Sequence, residues 1–195
     1  MDLAGVVSGL ERRYASVETV AGNFQQSYRA PGVDQVESGA FWLKKPDLMR
    51  WEYRQPEEQL FVADGRESSF YVPQDRQVTI QPLNASDLRN TPLELLLGSA
   101  DINKNYTVSW ESDVKPKTES AALIRLTPRT HEPAYLFVVL ELDGTTFELR
   151  RVIVREPTGN TMEFLLSNVA TNVKIDKKLF RFVPPKGVEE IRLDR

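Results

Sequence analysis

The feature that most constrains this chain is a two-residue alternation recurring along most of its length. Its densest expression lies in Gly39–Tyr53, where Met49, Trp51 and Tyr53 share one parity and Arg50 and Glu52 take the other. Side chains in an extended strand point alternately to opposite faces, so such a segment buries one face and wets the other. Strands are expected at Asn23–Tyr28, Val36–Lys44, Leu48–Arg54, Gln59–Ala63, Ser68–Val72 and Gln77–Gln81, and again at Tyr106–Glu111, Ala122–Thr127, Tyr135–Leu142, Phe147–Arg155, Thr161–Asn168 and Leu179–Phe182. The turns between them have local causes. Asp64-Gly65 and Asp143-Gly144 suit tight hairpins, and Pro73-Gln74-Asp75-Arg76 suits a type I turn. Many consecutive strands with short turns describe an antiparallel meander that curls into a barrel or half-barrel.

Two segments depart from period two. Leu3, Val6, Val7, Leu10, Tyr14 and Val17 recur at three- and four-residue steps, which predicts a helix over Asp2–Val20 with Asp2 as N-cap. Residues 84–104 interrupt the strands. There Thr91-Pro92-Leu93-Glu94 matches a capping box, the leucines Leu93, Leu95, Leu96 and Leu97 follow, and Gly98 can end the helix. So short and apolar a helix requires packing to persist, and it is expected to lie across the mouth of the barrel. No repeat or linker divides residues 1–195, so one domain is expected, with an N-terminal helix over residues 1–20.

Composition narrows the function. A net charge of −3 with scattered Lys and Arg argues against nucleic acid, and Lys44-Lys45 reads as solvated turn chemistry. No cysteine is present, which removes disulfides, thiolate metal sites and a cysteine nucleophile. The single histidine, His131, has no histidine or cysteine partner and reads as an exposed loop residue, so neither metal nor cofactor is expected. Neither a Gly-x-Ser-x-Gly elbow nor a Gly-rich phosphate loop occurs, and catalysis is not expected. No apolar run approaches the ~20 residues of a membrane-spanning helix. The opening Met1-Asp2-Leu3 lacks the basic and apolar segments of a signal peptide, a start common to cytoplasmic proteins and mature exported ones.

An ordered set of short motifs spans nearly the whole chain. It begins with Phe24-x-Gln26 and is strongest through Gly39-x-Phe41-Trp42-x-Lys44-Lys45-Pro46-x-Leu48-x-Arg50-Trp51. Pro56-x-x-Gln59, Asp64-Gly65, Tyr71-x-Pro73, Gln77 and Asn90-Thr91-Pro92 follow. Leu126-Thr127-Pro128, Asp143-Gly144 and Phe180-x-Phe182-x-Pro184-Pro185-x-Gly187-Val188 complete it. In this order the chain resembles the LolA family of periplasmic carriers of outer-membrane lipoproteins. That resemblance implies a mainly β (α+β) fold, an unclosed antiparallel half β-barrel with short helices forming a lid over a hydrophobic cavity. It implies acyl chains of outer-membrane lipoproteins as cargo, an inner-membrane ABC transporter of the LolCDE type as donor and a LolB-type protein as acceptor. It also implies a periplasmic location and a monomer.

The resemblance makes Met49, Trp51 and Tyr53 cavity wall and Leu93, Leu96 and Leu97 the inner face of the lid. Strand parity adds Phe41, Phe61, Phe70 and Val72. Where the family commonly has an arginine latching the lid, this chain has Lys45, which keeps the charge without the planar fork. Three alternatives stay open at this point: a LolB-like acceptor, a carrier of another lipid or glycolipid, and a non-catalytic sensory or interaction module of the same fold. The missing cysteine favours carrier over a lipid-anchored acceptor.

Overall fold

The computed structural model describes residues 2–83, 101–129 and 135–193. Helix α1, Leu3–Ala15, begins as expected, with the Asp2 carboxylate accepting from the Gly5 amide at 2.8 Å. It ends five residues short of Val20. The Glu18 amide turns to the Asn172 side chain at 2.8 Å, the Thr19 hydroxyl donates to the Val173 carbonyl, and β-branched Thr19 and Val20 join a strand.

Among the described residues twelve strands then form one sheet: β1 Thr19–Ala30, β2 Val33–Lys44, β3 Leu48–Gln55, β4 Gln59–Asp64, β5 Glu67–Val72, β6 Gln77–Pro82, β7 Tyr106–Trp110, β8 Ala121–Pro128, β9 Phe137–Asp143, β10 Leu149–Arg155, β11 Thr161–Thr171 and β12 Glu189–Arg192. Their order is β12-β6-β5-β4-β3-β2-β1-β11-β10-β9-β8-β7, antiparallel throughout except for the β12–β6 pair. The first six strands meander outward from β1, and β7 to β11 meander back from the opposite edge to meet it. Among the described residues the outer strands β12 and β7 do not pair with each other, so the sheet is unclosed.

Two sequence expectations are corrected at the C-terminus. Leu179–Phe182 is not a strand: Asp176 caps a 3-10 turn over Lys177–Phe180 by accepting from the Lys178 amide, and the turn drives Phe180 into a buried site. The edge strand β12 was not expected, because only Ile191 among its charged neighbours carries an apolar signal.

One face of the sheet holds the core. Val6, Val7, Leu10 and Tyr14 of α1 pack onto Val20, Phe24, Phe41, Leu43, Met49, Trp51, Ile124, Leu126, Leu140 and Val152. The Tyr14 hydroxyl accepts from the Leu149 amide, fixing the helix on this inner face. The opposite, outer face is strapped twice. Over β3 and β4 runs the C-terminal segment, with the Arg50 guanidinium donating to the Leu179 carbonyl and Phe180 buried along with Val62, Val78 and Ile80. Over β9 and β10 runs the loop 111–120, whose Lys117 and Thr118 amides donate to buried Glu141, itself paired with Arg151 at 3.1 Å.

Gly39 illustrates how sequence sets this geometry. It sits at a register shift in the β2–β3 ladder, opposite Tyr53 on one side and Phe24 on the other. The Phe24 and Tyr53 rings meet edge-on at 5.0 Å across it. A Cβ there would collide with the Glu52 carbonyl oxygen, which is backbone and cannot swing away. Gly39→Ala is therefore expected to destabilise the fold by roughly 1–3 kcal/mol, the range for overpacking, read as a lower urea midpoint at unchanged slope.

Candidate functional site: an aromatic strip on the inner face

Register brings four of the expected residues into one row. Phe41 faces Trp51, Trp51 faces Phe61, and Phe61 faces Phe70 across β2, β3, β4 and β5. Directly opposed residues share a face, so the row is a continuous strip of rings on the inner side. Its burial falls along its length: Phe41 is sealed, Trp51 is 3% exposed, Phe61 is half-buried, and Phe70 is 38% exposed. Met49 lies in the neighbouring row beside Leu43 and Ala63, fully in the core. Tyr53 lies one row away on the other side, and Val72 ends β5 half-buried at the same parity as Phe70.

Trp51 is the hub. Phe41 stacks on it at 4.9 Å, Phe24 meets it edge-on at 4.8 Å, and Phe164 approaches at 6.0 Å. Phe24 and Phe164 were not among the residues expected to line the site. Phe164 comes from β11, in the distant half of the chain, and the alternation Met162-Phe164-Leu166 was the available signal.

Beside the strip lies a short polar relay. The Tyr53 hydroxyl donates to the Gln26 side-chain oxygen at 3.1 Å, and the Gln26 amide donates to Glu37 at 3.3 Å. Burial pushes the Tyr53 phenol up to about 12, assisted by the charge of Glu37. The Glu37 carboxyl is itself raised, by burial first and by Glu57 second.

Lys45 stands at the end of α1. Its ammonium donates to the Ala15 carbonyl at 3.4 Å, and its amide donates to the Glu18 carbonyl. A cation at a helix C-terminus is favoured by the exposed carbonyls there. Arg50 is turned to the outer face, held by Glu52 at 2.8 Å and donating to the Leu179 carbonyl. Leu93, Leu96, Leu97 and His131 lie outside the described residues. Both flanks of the inserted segment pack on the inner-face core: Leu83 on one side, and on the other Ile102 of the short helix α2, Ile102–Asn105, which Asp101 caps.

This is a ring-lined surface running from a dry core to an exposed rim, and the comparisons with known proteins give it a context. Residues 15–183 match the family described as outer membrane lipoprotein carrier protein LolA. The chain belongs to the LolA family. An outer-membrane lipoprotein carrier protein from Nitrosospira multiformis is 33% identical over 189 residues, covering 95% of this chain and 87% of that protein. One from Ralstonia nicotianae is 31% identical over 196 residues, covering 97% and 88%. Among solved structures, an uncharacterized conserved protein from Thermus thermophilus shares the fold with a TM-score of 0.59 at 12% identity, covering 97% of this chain and 98% of that one. The LolA family consists of non-catalytic periplasmic carriers, and lipoproteins are its cargo.

The relay makes stability sensitive to alkali. Below pH 10 Tyr53 is neutral in both folded and unfolded chains; between 10 and about 12 the unfolded chain loses the proton first. Stability is therefore expected to fall as pH rises through that window. Tyr53→Phe should remove this part of the fall, together with a phenolate absorbance step near 12.

Proposed function

We propose that this LolA-family carrier holds lipoprotein acyl chains along the strip formed by Trp51, Phe61, Phe70 and Val72, with Tyr53 at its polar margin and Phe41 and Met49 backing it from the core. Leu93, Leu96 and Leu97 cover the strip when it is empty, and cargo displaces them. The protein receives lipoproteins in the periplasm from an inner-membrane ABC transporter of the LolCDE type. It hands them to a LolB-type acceptor at the outer membrane, acting as a monomer. The carrying observation is the continuity of the aromatic row from sealed Phe41 to open Phe70. Hydrocarbon can add to such a surface without dismantling the core beneath it.

Energetics favour a covered strip over a closed pocket. Each buried methylene releases roughly 0.8 kcal/mol, so several long chains would offer tens of kcal/mol gross and never leave a perfectly fitted cavity. A lid whose leucines occupy the empty strip offsets part of that gain, bringing loaded and empty states closer together. The flanks of the insertion, Leu83 and Ile102, support this arrangement because both are packed on the inner face.

The test is release of outer-membrane lipoproteins from inner-membrane spheroplasts carrying the cognate transporter. Release that requires this protein, ATP and the transporter is expected; absence of release under those conditions would refute the carrier route. Phe70→Ser should reduce the lipoprotein recovered in the supernatant several-fold while changing unfolding stability by less than about 1 kcal/mol, since the residue is exposed. As the latch, Lys45 should also matter for retention: Lys45→Ala is expected to leave the lid open more often and to alter transfer to the acceptor. Unchanged lid opening and transfer would exclude that role.

A further inference from the structure

The inner face contains a hydrogen-bond donor in an unusual position. The Trp51 indole nitrogen is buried and, among the described residues, has no acceptor. Its ring neighbours are Phe24, Phe41 and Phe164, none of which offers a lone pair. Tyr53 and Gln26 on this face bond to each other, and Gln26 also donates to Glu37; neither bonds to the indole. A lone water would not resolve the matter, because a buried water needs two to four polar partners and these walls are aromatic. Most buried donors are paired, and an unpaired one is costly to maintain, so the position invites a functional reading.

The chemistry of an acceptor that could reach this site is narrow. A charged oxygen would lose its hydration among phenyl rings without a countercharge. A hydrocarbon chain offers no acceptor at all. A neutral carbonyl at the head of an acyl chain meets both requirements, since it is a strong acceptor and is carried by the molecule that would lie on the strip. The surroundings agree in direction. Tyr53 and its polar relay lie two residues along β3 on the same face, where the polar linkage would sit. Phe61 and Phe70 continue the row from Trp51, where methylenes would run.

We infer that the indole N–H of Trp51 donates to the carbonyl oxygen heading a bound acyl chain, so that the carrier selects ester- or amide-linked chains over alkyl chains of the same length. The inference rests on the reading of the inner face as the acyl site and names the atom that recognises the acyl group. An aromatic hydrocarbon residue at this position would pack comparably and lack the discrimination.

The experiment titrates the purified full chain with two synthetic lipopeptides, one bearing two ester-linked chains and the other two ether-linked alkyl chains of equal length. Affinity is read by calorimetry, and the Trp51 indole resonance is followed in nitrogen-15-labelled protein. The ester lipid is expected to bind roughly tenfold more tightly, the scale of one net hydrogen bond, and to move the indole proton downfield where the ether lipid does not. Trp51→Phe should bind the two lipids equally. Equal affinities in the native protein, or an indole resonance that the ester lipid leaves in place, would overturn the carbonyl contact while leaving acyl binding intact. If neither lipid binds, the acyl site and the contact fall together. The resonance measurement needs no variant, so a poorly folded Trp51→Phe would not blunt the test.

Discussion

Strand β1 is hydrogen-bonded on both flanks, to β2 from Thr19–Lys44 through Ala30–Val33 and to β11 from Val20–Thr171 through Arg29–Thr161. The second pairing joins residues separated by most of the chain, and without it the molecule would be two half-sheets. It brings Phe24 opposite Leu166 and Gln26 opposite Phe164, so that Trp51 of the first half meets Phe164 of the second. The aromatic hub, the seat of α1 and the single inner face all depend on this seam. Closing so long a loop is entropically expensive, and the contiguous ladder with its buried rings offsets that cost.

Strand β3 shows how one short segment can serve both sides of a sheet. Its inner residues Met49, Trp51 and Tyr53 build the core and the strip. Its outer residues Arg50 and Glu52 anchor the C-terminal segment, which covers Val62, Val78 and Ile80. The Glu52 carboxyl is held below its usual range by Arg50 and Arg54, which outweigh its partial burial. A sheet this long with an open edge would otherwise expose apolar outer faces on both halves. The straps allow a thin protein to keep one face greasy and available while the other is dry and fixed.

Much of this was legible in the chain. The alternation through Leu48–Arg54 gave the strand, its face and its bulky residues, because burial on one side only leaves a clean period of two. The capping aspartate of α1 was equally plain. The end of that helix was not, since Val17 extended the apolar spacing while Asn172 and Val173, far along the chain, supplied the hydrogen bonds that pull Glu18 and Thr19 into β1. Leu179–Phe182 had strand-like spacing, but Asp176 capped a turn instead. The roles of Phe24 and Phe164 depended on which strands become neighbours across the seam, information that local periodicity does not carry. The relay of Tyr53, Gln26 and Glu37 was hidden for the same reason, each residue reading alone as an ordinary strand position.

Strand β12 gives the open sheet a further property. It is four residues long, runs parallel to β6, and presents Glu189, Glu190 and Arg192 at the border of the sheet. An unclosed sheet leaves a row of amide and carbonyl groups that could template another chain, and here a second molecule approaching that border would have to desolvate clustered charge before any pairing began. Arg192 also pairs with Glu67 of β5 at 3.1 Å, so the border strand engages its charge within its own sheet. Greasiness on the inner surface is thereby separated from stickiness along the β12 border, a separation that helps a protein handling water-insoluble cargo in a crowded solution not to polymerise through that edge.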